Sequence, residues 1–131
     1  MVLVDSSVWI EALRRNGRLD IKLAVEGLLE ADEAQWCSPV RLVVLGGAGP
    51  GECRRLEHHF SAVPFRACNE EDWYRATELA EKLLSVPWLD IVTASLALHD
   101  GIRIFATAGH FKKIPGLALY EPGRGGAFRP E

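Results

Sequence analysis

The sequence predicts an α/β fold in which a small parallel β-sheet lies between helices, and three observations point there. Val2, Leu3 and Val4 form a short apolar run with β-branched residues that stops at Asp5; it suits a buried strand and is too short for a core helix. A second run of strand character, Ile102 to Thr107, lies near the other end of the chain. Between them come several stretches whose apolar residues recur at helical spacing. Strands separated by helices are joined by crossovers rather than hairpins, and crossovers make parallel sheets.

The first helix is predicted directly after Asp5. Ser6 and Ser7 lead into Val8, Ile10, Ala12 and Leu13, and a serine hydroxyl can accept from the free N–H groups of a first helical turn. Asn16-Gly17 ends that element. Asp20 can cap a second helix, in which Ile21, Leu23, Ala24, Val25, Leu28 and Leu29 recur at helical spacing as far as Asp32. Gln35 to Ser38 reads as a short strand with Trp36 and Cys37 turned inward. For Val40 to Pro50 the pattern leaves helix or strand open; Pro39 at the first helical position and the glycine-rich exit favour a helix. Gly51 to Ala62 is helical in pattern and Val63 to Cys68 is an extended link. Asn69 caps a long helix to about Leu84, with Glu70, Glu71 and Asp72 at the favourable end of its dipole. Ser85 to Asp90 opens an apolar helix that Gly101 ends. After the Ile102 run, Ala108 to Lys113 is a helical turn and Leu117 to Tyr120 a last short strand. Residues 1–121 read as a single domain, and 122–131, rich in Gly, Pro and Arg, as a loose tail.

Composition narrows the classes. At 131 residues there is room for one ordinary domain with a real core. A formal charge of −3 leaves no basic footprint over the whole molecule, so nucleic-acid binding needs a local patch. Cys37, Cys53 and Cys68 are an odd number without CxxC spacing or zinc-finger histidines, and they read as reduced thiols of a cytoplasmic protein. The chain opens on a strand rather than a signal peptide, and no apolar run approaches the roughly 18 residues that span a bilayer. A soluble protein with no membrane partner is expected. Gly46-Gly47-Ala48-Gly49 lacks the lysine and Ser/Thr of a phosphate loop and reads as a helix terminus. His58 and His59 are adjacent, hence about 100° apart on a helix and poorly placed as a metal pair.

Two carboxylates stand out. Asp5 sits where a buried strand ends and a helix begins, the place where open α/β sheets build ligand sites; the alternative is a turn aspartate that helps cap the helix. Asp90 lies among residues of buried character (Trp88, Leu89, Ile91, Val92, Ala94) in a first turn after Pro87, where the helix N-terminus stabilises a negative charge. If the two meet at the carboxyl edge of the sheet, they repel unless a cation holds them, and hard oxygen ligands suit Mg²⁺ or Mn²⁺. Such an ion can ionise a water and hold a phosphodiester in line for hydrolysis.

Asp5-Ser6-Ser7-Val8-Trp9-Ile10, Ser38-Pro39-Val40-Arg41-Leu42, Val86-Pro87-Trp88-Leu89-Asp90-Ile91 with Ala94 and Ala97, and Phe105-Ala106-Thr107 with His110-Phe111 follow one another in the order of a known pattern. From Val2 to about Tyr120 the chain resembles a PIN domain, and within that fold it is most similar to the VapC-type toxins of bacterial toxin–antitoxin pairs. The resemblance implies a three-layer sandwich, Mg²⁺- or Mn²⁺-dependent endoribonuclease activity, a homodimer, and neutralisation by a small antitoxin docked in the active-site groove. Carried onto this chain, Asp5 matches the first acidic residue and Asp90 the third, as metal ligands and catalytic groups. Ser6 or Ser7 matches the hydroxyl that supports the first carboxylate, with Thr107 in the same supporting set. Two expected acidic positions are substituted. Val43 stands where the family has a glutamate, and Ala108 where it has an aspartate two residues before the His-Phe pair. Halving the carboxylates weakens and loosens a metal site, and misplacement alone can cost about 10²-fold in rate. Glu11 and His110 are the substitutes within reach, neither in the family's placement.

For RNA, Arg14, Arg15 and Arg18 on one side of a groove and Lys112 and Lys113 on the other are the candidate phosphate contacts, against an ordinary solvated surface. Trp9, Trp36, Trp73 and Trp88 read as core or interface anchors. The expected function is a VapC-like metal-dependent endoribonuclease toxin weakened at its site. The alternative is a catalytically inactive PIN relic that binds an antitoxin or RNA. A small phosphate or nucleotide binder is the third reading, disfavoured by the missing phosphate-loop lysine.

Overall fold

The computed structural model describes residues 1–123; the expected tail, from residue 124 onward, lies outside the described residues. In chain order the elements are β1 (Val2–Val4), α1 (Ser6–Leu13), α2 (Leu19–Glu30), β2 (Ala34–Cys37), α3 (Ser38–Gly46), α4 (Pro50–Phe60), β3 (Phe65–Arg66), α5 (Glu70–Lys82), α6 (Trp88–Asp100), β4 (Arg103–Phe105) and a 3₁₀ turn, Gly109–Lys113. The four strands form one parallel sheet in the order β3-β2-β1-β4, flanked by the helices, as the pattern of runs predicts. β1 is central and all three of its residues are buried, which is why it reads as an unbroken apolar run rather than an alternating one. Across the core Trp9 stands edge-on to Phe60 at 4.8 Å, and Phe60 stacks on Trp36 at 4.2 Å, which joins α1, α4 and β2.

The structure corrects the sequence reading at several ends. Val63–Cys68 is more than a link, because it contains β3, which pairs Phe65 with Trp36 and Arg66 with Cys37. The expected strand over Leu117–Tyr120 shrinks to a single bridge between Ile104 and Leu119. α2 begins at Leu19 with no side-chain cap, so Asp20 lies inside its first turn, bonded to Arg18 and to the Ile21 amide. Asp5, rather than either serine, caps α1. Gly101 ends α6 at φ 70°, a left-handed conformation that glycine adopts without strain. Gly17 is required for a different reason: a Cβ there would lie 1.8 Å from the Glu11 carbonyl oxygen.

One ionic knot ties the sheet edge to two helices. Asp72, 1% exposed, forms the reciprocal capping box of α5 with Asn69 and takes two bonds from the Arg66 guanidinium, at 2.7 and 3.0 Å. Arg66 also reaches Asp100 at the end of α6, at 2.8 Å, and Arg75 adds a further bond to Asp72. The Arg66 guanidinium, helped by the Asn69 amide and Arg75, holds the Asp72 carboxyl far below the ordinary carboxylate value despite its burial. Because the folded value is depressed, the stabilisation is full above about pH 5 and is lost as pH falls below about 4. Arg66→Ala is therefore expected to cost about 2 kcal/mol at pH 7, since Arg75 remains as a partner. The loss should shrink at pH 3; urea unfolding of both proteins at the two pH values measures it.

Candidate active site at the carboxyl edge of the sheet

The strand order reverses at β1. α1 and α2 carry the chain to β2 on one side, and α6 leads into β4 on the other. The crevice beyond the carboxyl ends of β1 and β4 is thus a topological switch point, where folds of this kind bind ligands. The Asp5 amide donates to the Phe105 carbonyl at 2.9 Å, so the ends of the two strands are held in register there.

Asp5 is 3% exposed. Its Oδ2 accepts from the Ser7 amide at 3.1 Å and from the Ser7 hydroxyl at 2.7 Å, while Ser7 Oγ accepts from the Thr107 amide at 3.1 Å. Of the two serines it is Ser7 that supplies the supporting hydroxyl; Ser6 contributes only through its backbone amide. Thr107 supports through its backbone, not through its side chain. Capping and site-building are not alternatives here, because the same carboxylate does both. Burial pushes the Asp5 carboxyl up from its ordinary value, the Ser7 bonds pull it down without cancelling the rise, and the charge of Asp90 pushes it up further. At the end of β2, burial pushes the Cys37 thiol up to about 12, so it stays protonated and serves as packing, not as a nucleophile.

Asp90 is the third residue of α6, near the positive end of its dipole. The sequence suggests a buried neighbourhood, and this is half correct. Ile91, Val92 and Ala94 are core, but Trp88 is 82% exposed and Leu89 is exposed too, because the first residues of α6 turn away from the sheet. Asp90 Oδ2 lies 2.9 Å from His110 Nδ1 on the 3₁₀ turn after β4. This bond has no signature in sequence spacing; only the position of the His-Phe pair hinted at it. Glu11 is no substitute carboxylate, since Arg14 at 2.9 Å and the Arg18 amide at 2.7 Å engage it. Val43 and Ala108, both half-buried, offer no donor. Among the described residues no group of three or more His, Cys, Asp or Glu side chains is placed to hold a metal ion. Two carboxylates do not fit the oxygen-rich centre that the resemblance implies.

The basic candidates divide. Arg14 and Arg18 are engaged by Glu11 and Asp20, whereas Arg15, Lys112 and Lys113 are exposed, the lysines two and three residues after His110 on the same turn.

No protein-family model and no curated protein matches the chain. Solved structures do. A toxin–antitoxin complex from Klebsiella pneumoniae matches with a TM-score of 0.73 at 20% identity, over 92% of this chain and 99% of that one. VapBC2 from Rickettsia felis, bound to a DNA fragment from its promoter, matches with 0.72 at 17%, over 92% and 98%. VapC20 of Mycobacterium tuberculosis, a sarcin–ricin loop cleaving toxin, matches with 0.67 at 15%, over 93% and 100%. At such identities the likeness is one of fold, and the fold is that of a PIN domain.

Two substitutions are expected to move stability in opposite directions. Ser7→Ala leaves Asp5 and the Thr107 amide each short of a partner and should cost about 1–2 kcal/mol. Asp5→Asn removes a buried charge that burial and Asp90 disfavour, yet keeps an oxygen that can accept from Ser7, so its thermal midpoint should rise. Thermal and urea unfolding of the two variants check both signs.

Proposed function

We propose that this chain is a VapC-like toxin of a toxin–antitoxin pair, an RNA-directed PIN-domain protein whose Mg²⁺- or Mn²⁺-dependent cleavage is weakened. The observation that carries the reading is the position of Asp5 and Asp90: both stand at the switch point of the sheet, near enough for one charge to be felt by the other. The fold likeness to toxin–antitoxin complexes and to an RNA-cleaving toxin supports it. The weakening follows from Val43 and Ala108. Asp5 and Asp90 are half of the carboxylates expected around a divalent ion. Exposed Arg15, Lys112 and Lys113 are the phosphate contacts in this reading. The test is RNA cleavage by purified protein in Mg²⁺, in Mn²⁺ and in chelator, beside an Asp5→Asn, Asp90→Asn double variant prepared in the same way. The reading expects slow cleavage that the double variant lacks; equal background in both proteins overturns it in favour of a catalytically inactive binding module.

One observation gives that second reading weight. A groove of about 400 Å³ between α5 and α6 is lined by Trp73, Ala76, Ala80, Leu84, Trp88 and Ile91, and Leu84 is 89% exposed. Apolar surface of this kind marks protein association, and we assign it to a second copy of the chain. Leu84→Glu with Trp88→Glu should convert a dimer to a monomer in light scattering while leaving the fold intact; an unchanged mass rules this face out. The antitoxin then has the crevice at β1 and β4. No helix among the described residues is long and apolar enough to cross a membrane.

A further inference from the structure

A second cleft between α5 and α6, of about 330 Å³, shares no lining residue with the apolar groove described above. Its chemistry is polar. α5 contributes Arg75, Glu78, Leu79 and Lys82, and α6 contributes Ser95, Leu98 and His99, spaced so that each set lies along one side of its helix. Ser95 is 6% exposed, and its hydroxyl makes no hydrogen bond among the described residues. A buried hydroxyl in a helix ordinarily turns back to the carbonyl four residues earlier, as Thr93 does to Leu89 at 3.0 Å. Ser95 does not. Arg75 gives Nη2 to the buried Asp72 carboxylate, while its Nε is buried without a partner. Polar groups left unpaired in a protein interior cost free energy and are rare. Two of them meet at one cleft here, beside the exposed side chains of Lys82 and His99.

We propose that this cleft is a binding site for a small phosphate monoester, apart from the crevice of Asp5 and Asp90. The Ser95 hydroxyl and the Arg75 guanidinium donate to the phosphate oxygens, Lys82 and His99 close over its charge, and Leu79 and Leu98 flank the organic remainder. The charge balance favours an anion. Arg66 and Arg75 are matched by Asp72 and Asp100 in the ionic knot, which leaves Lys82 and His99 facing one carboxylate, Glu78. The bond to Asp72 also holds the guanidinium in place before a ligand arrives, so little order is lost on binding. The volume falls in the range of small-molecule sites. The backbone of a nucleic acid carries related phosphate chemistry, but as diesters of lower charge, and the test separates the two sources.

The test is a titration of the full chain, followed by NMR at the arginine Nε–H groups and the backbone amides, with ionic strength held constant by chloride. The probes are inorganic phosphate, uridine 5′-monophosphate, uridine, and a 2′-O-methylated oligonucleotide with hydroxyl ends, which offers diesters only. The expected result is saturable shifts at Arg75 Nε–H and at the amides around Ser95 with phosphate and with the monophosphate, the latter binding more tightly, and none with uridine. Ser95→Ala and Lys82→Gln should each weaken binding about tenfold. The spectrum of each unliganded variant should match the parent away from the substitution, which separates a lost contact from a lost fold. Shifts that do not saturate, or that survive both substitutions, overturn the proposal. Saturation by the oligonucleotide alone overturns the monoester and gives the cleft to nucleic acid.

Discussion

A carboxylate buried at the end of a central strand has to be satisfied by the residues that follow it, and Ser7 does this from two of its atoms. Its amide and hydroxyl both bond Asp5, and the same hydroxyl oxygen receives the Thr107 amide from the far side of the crevice. Three consequences depend on that one side chain. α1 starts where it does because Asp5 caps it. The loop after β4 is drawn against the end of β1. The 3₁₀ turn that carries His110 is thereby set at the rim of the crevice, opposite the first turn of α6.

The architecture was readable because it rests on patterns that local physics imposes. Val2–Val4 had to be a buried strand, since an unbroken apolar run of that length fits a parallel sheet and little else. Asn69 as a cap, followed by three acidic residues at the favourable end of the dipole, announced the start of α5. The misses share a cause: each depended on something distant in sequence. β3 is two residues long and exists because β2 is beside it. Asp72 was visible as an acidic residue in a first helical turn, but its pairing with Arg66, and that arginine's reach to Asp100 34 residues away, was not. The exposure of Trp88 defied its apolar character because only the tertiary direction of α6 decides which side of a first turn faces the sheet.

At the site the legible part was the pair of aspartates, and the illegible part was what surrounds them. The sequence left open which serine supports Asp5; the geometry selects Ser7. It offered Glu11 and His110 as substitutes on equal terms. The structure separates them, since Glu11 is engaged by Arg14 and the Arg18 amide while His110 turns toward Asp90. Charge tells the same story. A carboxylate held at neutral pH in a buried place normally has a cation beside it. The Asp5 carboxyl, pushed upward by burial and by Asp90, is held chiefly by its hydrogen bonds to Ser7. Such an arrangement is a cost to folding, tolerated where a site needs it.

The brevity of β3 bears on how the molecule meets others of its kind. An outer strand usually offers a row of free amides and carbonyls, and long ones invite strands from other chains to add on. Here one margin of the sheet is two residues long and pinned by the guanidinium of Arg66, and the other is partly occupied by the bridge to Leu119. Neither margin leaves a template long enough for polymer growth by strand addition. Strand addition at either margin is thereby disfavoured.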